Sequence, residues 1–185
     1  MKIILGSNSP RRKELLQNLG YPFTTVNIDC PEIYPETLPI SEIAGYLSEL
    51  KSSAYKTLKE GELLITADTI VVLKEKVLGK PQNESEAQQM LEVLSGTIHQ
   101  VYTGITIRTN LQTITETDVA KVEVENLTAA EIEYYIKTFK PFDKAGSYGI
   151  QEWLGMAKIK SITGSFFTIM GLPTHLVYKI LKELT

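Results

Sequence analysis

Apolar positions along the chain change period several times, from continuous runs to alternation to helical spacing, and those changes lay out the elements. Lys2-Ile3-Ile4-Leu5 is a short apolar run that predicts a first buried strand. After the small polar loop Gly6-Ser7-Asn8-Ser9, a helix opens with Ser9 as its cap and Pro10 in its first turn, and closes at Gly20. Leu15, Leu16 and Leu19 give it an apolar stripe. Phe23-Thr24-Thr25-Val26 predicts a weak second strand. Beyond Pro31, Pro35 and Pro39, the spacing of Ile43, Leu47, Leu50 and Ala54 predicts a helix from Ser41 to Leu58. Leu63-Leu64-Ile65 predicts a buried strand that stops at the polar group Thr66-Ala67-Asp68-Thr69. Ile70–Leu73 and Val77-Leu78 then form a hairpin across Lys74-Glu75-Lys76.

The second half of the chain has the same mixture. Asn83 with Glu86 three residues on marks a helix start, and Gly96 its end. Val101, Thr103, Ile105 and Ile107 alternate with their neighbours, as do Val122 and Val124 with Glu123 and Glu125, which predicts two long half-exposed strands. Thr128-Ala129-Ala130-Glu131 has capping-box form and opens a helix ending before Pro141. Ala157–Ile162 and Phe166–Ile169 read as strands, and Pro173 opens a last amphipathic helix through Leu176, Val177, Ile180, Leu181 and Leu184. Hairpins and crossovers together indicate an α/β fold with a mixed sheet. Without an internal repeat or a linker, residues 1–185 read as a single domain, built as one compact body or as two small lobes sharing a core.

Composition excludes more than it selects. Apolar content of 43% and scattered Gly and Pro exclude a disordered or fibrous chain. The net charge of −3 argues against a nucleic-acid duplex as the main partner, although one phosphorylated small molecule needs only local positive charge. Cys30 is the sole cysteine and His99 and His175 the only histidines, so a metal would be held by carboxylates and would be hard, Mg²⁺ or Mn²⁺. No segment resembles a signal peptide or a membrane span, and a cytoplasmic protein without membrane contact is expected.

Three constellations could carry chemistry. In Ser7-Asn8-Ser9-Pro10-Arg11-Arg12 a strand feeds a small-residue loop and then a helix N-terminus, where unpaired N–H groups attract an anion. Arg11 and Arg12 oppose the helix dipole there, which an anionic ligand would relieve; the alternative is a solvated pair beside a plain cap. Asp68, directly after an apolar run, is placed for metal binding or base work, or else is a turn residue bonded to its own backbone. Lys51, Lys80 and Lys144 each read on local grounds as solvated charges. So does Glu32, in its proline-rich loop. His99 reads as a packed residue and Cys30 as a half-buried one, and the aromatics from Tyr134 to Trp153 read as core or interface.

Taken in order, Ser-x-Ser-Pro-Arg-Arg, Ala-Asp-Thr after a strand, Gly-Lys-Pro after a hairpin, Asp-Lys-Ala-Gly-x-Tyr-Gly-Ile-Gln and Gly-Ser-Phe…Gly-Leu-Pro resemble the Maf family of nucleoside triphosphate pyrophosphatases, from Leu5 to the final helix. The resemblance implies a mixed α/β fold with two lobes around a cleft, like that of the inosine triphosphate pyrophosphatases. It implies hydrolysis of a nucleoside triphosphate to the monophosphate and pyrophosphate with a divalent metal, in a homodimer. Carried onto matching positions, it makes Asp68 the proton acceptor and Ser9, Arg12, Lys51 and Lys80 phosphate-handling groups. Glu32 becomes a metal ligand with Asp68, while Arg11, Thr69 and Gln151 bear on base choice. The segment around Gln151 resembles the branch acting on dTTP and UTP, and C5-modified uridine triphosphates fit the same logic, since a Gln amide matches the N3–H and a carbonyl of uracil or thymine.

Two departures from the pattern bear on the base pocket: Glu152-Trp153 stands where Gly usually follows the Gln, at the rim, and Phe166-Phe167-Thr168 replaces a Tyr/Phe-x-Asn stretch, at the floor. Two other readings are carried beside the enzyme. One is a non-catalytic nucleotide-binding regulator of cell division, because the family has been linked to division arrest; the other is a pyrophosphatase for a modified purine nucleotide.

Overall fold

The computed structural model describes residues 1–184. Among these the strands are β1 (Lys2–Leu5), β2 (Phe23–Thr25), β3 (Glu62–Leu73), β4 (Lys76–Leu78), β5 (Ile98–Arg108), β6 (Thr113–Val124) and β7 (Ile159–Thr163). The helices are α1 (Pro10–Asn18), α2 (Ile40–Ala54), α3 (Glu84–Leu94), α4 (Ala129–Phe139), α5 (Trp153–Lys158), α6 (Phe166–Met170) and α7 (Thr174–Leu184), with a short 3₁₀ turn at Ala145–Ser147. The strands form one mixed sheet in the order β2-β1-β3-β5-β6-β7, with β4 paired to β3. The α/β class and mixed sheet expected from the pattern are present. The chain divides into two compact units: Met1–Thr69, Thr103–Asp118 and the chain from Gly171 form one, Ile70–Tyr102 and Val119–Met170 the other.

In the first unit β1 lies parallel to both β2 and β3, with Ile3 opposite Phe23 and Leu63, and Leu5 opposite Thr25 and Ile65. Leu5, Leu63, Leu64 and Ile65 are fully buried, which is why these parallel strands read as unbroken apolar runs. α2 lies directly on β5: a Cβ at Gly104 would stand 2.3 Å from the Ala44 backbone, so only glycine permits this approach.

Three details correct the sequence reading here. α2 ends at Ala54, with Tyr55 extended, and Leu58 is buried outside it in a cluster with Ile4 and Leu64. The buried face of α2 is Ile43, Ala44, Leu47, Ser48 and Ser52, while Ala54 is exposed. Apolar spacing mislocated that stripe because two of its members are serines with buried partners: Ser48 Oγ donates to Gly45 O at 2.9 Å and lies 2.7 Å from Thr106 Oγ1, and Ser52 Oγ accepts from Arg108 Nε at 3.1 Å. Finally, β3 does not stop at Thr66 but continues through Asp68 for 12 residues.

In the second unit the β3–β4 hairpin turns on Lys74 and Glu75, both at positive φ (47° and 64°), the twist that two-residue hairpin loops prefer. Asn83 caps α3, and the Thr128–Glu131 capping box of α4 has both its bonds. Ala157 and Lys158 are helical rather than extended, and Phe166–Met170 is a helix, not a strand. Aromatic strand propensity loses there because Gly164 (φ 112°) ends β7 and a turn follows, with Thr168 N–H donating to Ser165 O. β5 is half-exposed only at its start; from Thr103 to Ile107 it is buried on both faces. Among the described residues, no helix is long and apolar enough to cross a membrane.

Candidate active site

Two registers superpose where α2 crosses β3. Strand residues two apart share a face, and helix residues three apart share a side. Thr66 Oγ1 donates to Ser48 O at 2.7 Å, and one step further along both elements Asp68 Oδ1 receives Lys51 Nζ in a short ion pair. The buried hydroxyls that fix α2 on the sheet thereby fix Lys51 over Asp68. Lys51 Nζ also bonds Glu32 Oε1 at 2.9 Å, so one ammonium is held between two carboxylates. The Lys51 side chain is 14% exposed, that of Asp68 8% and that of Glu32 43%. The turn reading of Asp68 and the solvated reading of Lys51 do not hold, because Asp68 is a buried strand residue and Lys51 is largely covered; Glu32 is an exposed loop acid, as read, that also pairs with Lys51.

Thr69, the next strand residue, points to the opposite face, where α1 and β5 supply its partners. Ser9 caps α1 by accepting from Arg12 N–H at 3.5 Å, and Ser7 Oγ accepts from Ser9 N–H at 3.2 Å. The Arg12 side chain donates from Nε to Gly171 O at 2.7 Å, from Nη2 to Thr69 Oγ1 at 3.1 Å and from Nη1 to Ser7 Oγ at 3.5 Å. Thr69 Oγ1 in turn lies 2.9 Å from Thr103 Oγ1 on β5. Burial holds the Arg12 guanidinium below its ordinary range, Arg11 adds to that effect, and Asp68 and Glu32 oppose it. Arg12 is thus electrostatically linked to the Asp68 cluster, and three of a guanidinium's five N–H donors serve to orient it. Ser9, Arg12, Glu32, Lys51, Asp68 and Thr69 all belong to the first unit, and so does Arg11 in the first turn of α1.

Lys80 and Gln151 belong to the second unit, and both are exposed. Gly146 N–H donates to Gly79 O at 3.0 Å, which joins the loop bearing Lys80 to the segment that leads to Gln151. Sequence reasoning missed what holds that segment. Lys144, read as solvated, has a side chain only 8% exposed and pairs with Asp143 at 2.7 Å and Glu152 Oε1 at 3.1 Å. Glu152 Oε2 accepts a short hydrogen bond from the Tyr135 hydroxyl, whose oxygen accepts from Gly149 N–H at 2.9 Å. Burial, then the bond to Glu152, pushes the Tyr135 hydroxyl far above its usual range. His99 is packed as expected: it is 1% exposed, with Nε2 2.7 Å from Tyr148 Oη and Nδ1 without a partner.

The donor set suits a hard cation. Among the described residues no three His, Cys, Asp or Glu side chains cluster as metal ligands, but Mg²⁺ needs only one or two carboxylates and takes its remaining ligands from water and substrate phosphates. Glu32 and Asp68 are such a pair, already converging on one positive group.

The family profile described as Maf-like protein matches residues 2–184. A dTTP/UTP pyrophosphatase of Phocaeicola vulgatus is 49% identical over 185 residues, covering 99% of this chain and 96% of that one. A dTTP/UTP pyrophosphatase of Porphyromonas gingivalis is 45% identical over 186 residues, covering 98% and 94%. The solved structure of the Staphylococcus aureus Ham1 protein is similar over 67% of this chain and 72% of that one, with a TM-score of 0.45 at 14% identity. Residues 2–184, Ser9, Arg12, Glu32, Lys51 and Asp68 included, match one family from end to end: the chain belongs to the Maf-like proteins.

Proposed function

We infer that this protein is a nucleoside triphosphate pyrophosphatase that hydrolyses dTTP and UTP to the monophosphate and pyrophosphate. The observation that carries the reaction is the Lys51 ammonium held between Asp68 and Glu32, with Arg12 within electrostatic reach of both carboxylates. The substrate follows from the relatives' names at 45–49% identity over nearly full length. A binding regulator would need cationic groups for the phosphates, but not a buried carboxylate held in register at the end of an ion-pair chain.

In this reading the triphosphate meets the Ser9 loop, the N–H groups of the first turn of α1, and the guanidinium of Arg12. Asp68 takes the proton of a water attacking phosphorus; a new P–O bond forms as the anhydride bond breaks, and pyrophosphate leaves with the electron pair. Lys51, bonded to Asp68 Oδ1 in the resting site, keeps that oxygen in place and offers positive charge to the reacting phosphate. Glu32 and Asp68 would hold Mg²⁺ or Mn²⁺, which when bound neutralises charge on the phosphate oxygens. Lys80 and Gln151 keep the roles that the family resemblance implies, phosphate handling and base choice.

The test is a nucleotide panel incubated with pure protein and Mg²⁺ or Mn²⁺, with pyrophosphate measured against phosphate. Pyrophosphate from dTTP and UTP, well above that from CTP, ATP and GTP, is expected. Fastest turnover of a purine triphosphate would overturn the substrate while leaving the reaction, and tight binding without turnover would favour the regulator.

A further inference from the structure

We propose that Glu152 is a positioning residue for base selection: it holds the Gln151 side chain by tying Gln151's own segment to Lys144 and Tyr135. The inference rests on the reading of Gln151 as the residue that meets the base.

Gln151 is exposed and sits in a turn between the 3₁₀ turn and α5, with no helix or strand of its own to fix it. Its neighbour supplies the constraint. Glu152 N–H donates to Gly149 O at 3.0 Å, closing a turn around residues 149–152. The Glu152 carboxylate then spans that turn, with one oxygen 3.1 Å from Lys144 Nζ and the other accepting from the Tyr135 hydroxyl of α4. The same hydroxyl oxygen accepts from Gly149 N–H, so the turn is tied to α4 at both of its ends. Glu152 is 17% exposed and Lys144 8%, so these charges have little water to replace a lost partner. The turn is also tightly filled: a Cβ on Gly149 would stand 2.8 Å from the Glu152 carboxyl carbon and 3.0 Å from Gln151 Nε2. The Gln151 amide and the Glu152 carboxylate therefore lie over the same glycine. A Gly following the Gln would leave Lys144 and the Tyr135 hydroxyl without this acceptor.

The experiment compares wild type with Glu152→Ala, Glu152→Gln, Gln151→Ala and the double variant Gln151→Ala/Glu152→Ala, measuring kcat and KM for dTTP, UTP and CTP. Emission of Trp153, the sole tryptophan, reports the segment independently of turnover. The expected result for Glu152→Ala is a rise of about tenfold in KM for dTTP and UTP, with kcat within about twofold of wild type. Preference over CTP falls to that of Gln151→Ala, and Trp153 emission shifts to the red. The double variant is no worse than Gln151→Ala, because the two changes remove one effect. Glu152→Gln, which keeps an acceptor for Tyr135 but not the charge facing Lys144, falls between. If Glu152→Ala does not fold, Glu152→Gln and Tyr135→Phe carry the same comparison.

A Glu152→Ala variant with lowered kcat but unchanged KM and unchanged preference has lost only stability, and that overturns the proposal. Wild-type constants in that variant alongside altered ones in Gln151→Ala overturn it too. If Gln151→Ala leaves the preference intact, the base reading of Gln151 fails and the positioning role with it, whereas the pyrophosphate assay tests the reaction separately.

Discussion

The cluster around Asp68 and the segment around Gln151 are held in place by different means. Asp68, Lys51 and Thr69 lie on a strand and a helix, and their positions follow from the register of those elements, pinned by buried hydroxyls: Thr66 Oγ1 donates to Ser48 O one step before Asp68 meets Lys51. Gln151 lies in a single turn closed by one main-chain bond, and that turn is anchored by side chains, through one ion pair with little exposure and one tyrosine hydroxyl. Register is a property of whole elements and tolerates the loss of any one functional side chain. A side-chain network does not. Changes at the first site should therefore remove chemistry and leave the fold, whereas changes in the second region should alter fit and stability together.

The largest expected effect tests the first half of that contrast. Activity should vanish in EDTA and return with Mg²⁺ or Mn²⁺, because Lys51 is already offset by two carboxylates and the cluster has no net positive charge to offer a triphosphate. Turnover that persists in chelator would remove the metal from the mechanism. Next in size is Asp68→Asn, which keeps the shape of the side chain while removing its charge and basicity. A loss of about 10²–10⁴-fold in kcat is expected, with the ranking of nucleotides unchanged. A variant that turns over normally would exclude Asp68, and one that changes the ranking would blur the separation between the two regions.

What the sequence made legible follows the same division. Ser9, Pro10, Asn83 and the Thr128–Glu131 box announced their helices because capping is a local interaction between neighbours. β1 and the start of β3 were readable as apolar runs because parallel strands are buried on both faces. The continuation of β3 through Thr66 and Asp68 was hidden, since a polar strand residue is paired only by partners far along the chain, here on α2. Ser48 and Ser52 concealed the buried side of α2 for the same reason. The site residues in the first unit could be named from the motif but not ranked on local grounds, because Lys51 and Asp68 acquire meaning only from each other. The Lys144–Glu152–Tyr135 network was not anticipated at all: Glu152 stood out only as a departure from a pattern, with nothing nearby in sequence to reveal its partners.

His99 tests the second region by pH. Burial lowers its pKa to about 4 from 6.5, so the folded protein carries the neutral ring while the unfolded chain binds the proton more tightly. The stability this contributes is complete above pH 6.5 and is lost as pH falls towards 4, about 3 kcal/mol over the window. Denaturant unfolding of His99→Phe should therefore show a shallower dependence on pH between those limits than the parent protein. Parallel curves would mean that the buried ring does not titrate there. Because Tyr148, the ring's partner, sits in the segment leading to Gln151, preference for dTTP and UTP over CTP should weaken in the parent at the acid end of this window.

The smallest of these effects falls again on the first region. Arg12→Lys preserves charge but cannot donate at once to Gly171 O, Thr69 Oγ1 and a phosphate, because an ammonium on a flexible stem is not a fork. One charge-assisted bond to substrate is worth about ten- to a hundredfold, so kcat/KM should fall by at least about tenfold. The fall should be equal for dTTP, UTP and CTP, since every triphosphate presents the same anion. The Gly171 carbonyl and the Thr69 hydroxyl, which orient the guanidinium, stay in place with the strand and the chain beside it, so thermal unfolding should move little. A loss that differed among the three nucleotides would mean that Arg12 reads the base as well as the phosphates, and the two regions could no longer be assigned separate tasks. An unchanged kcat/KM would reduce Arg12 to a structural tie between Ser7, Thr69 and Gly171.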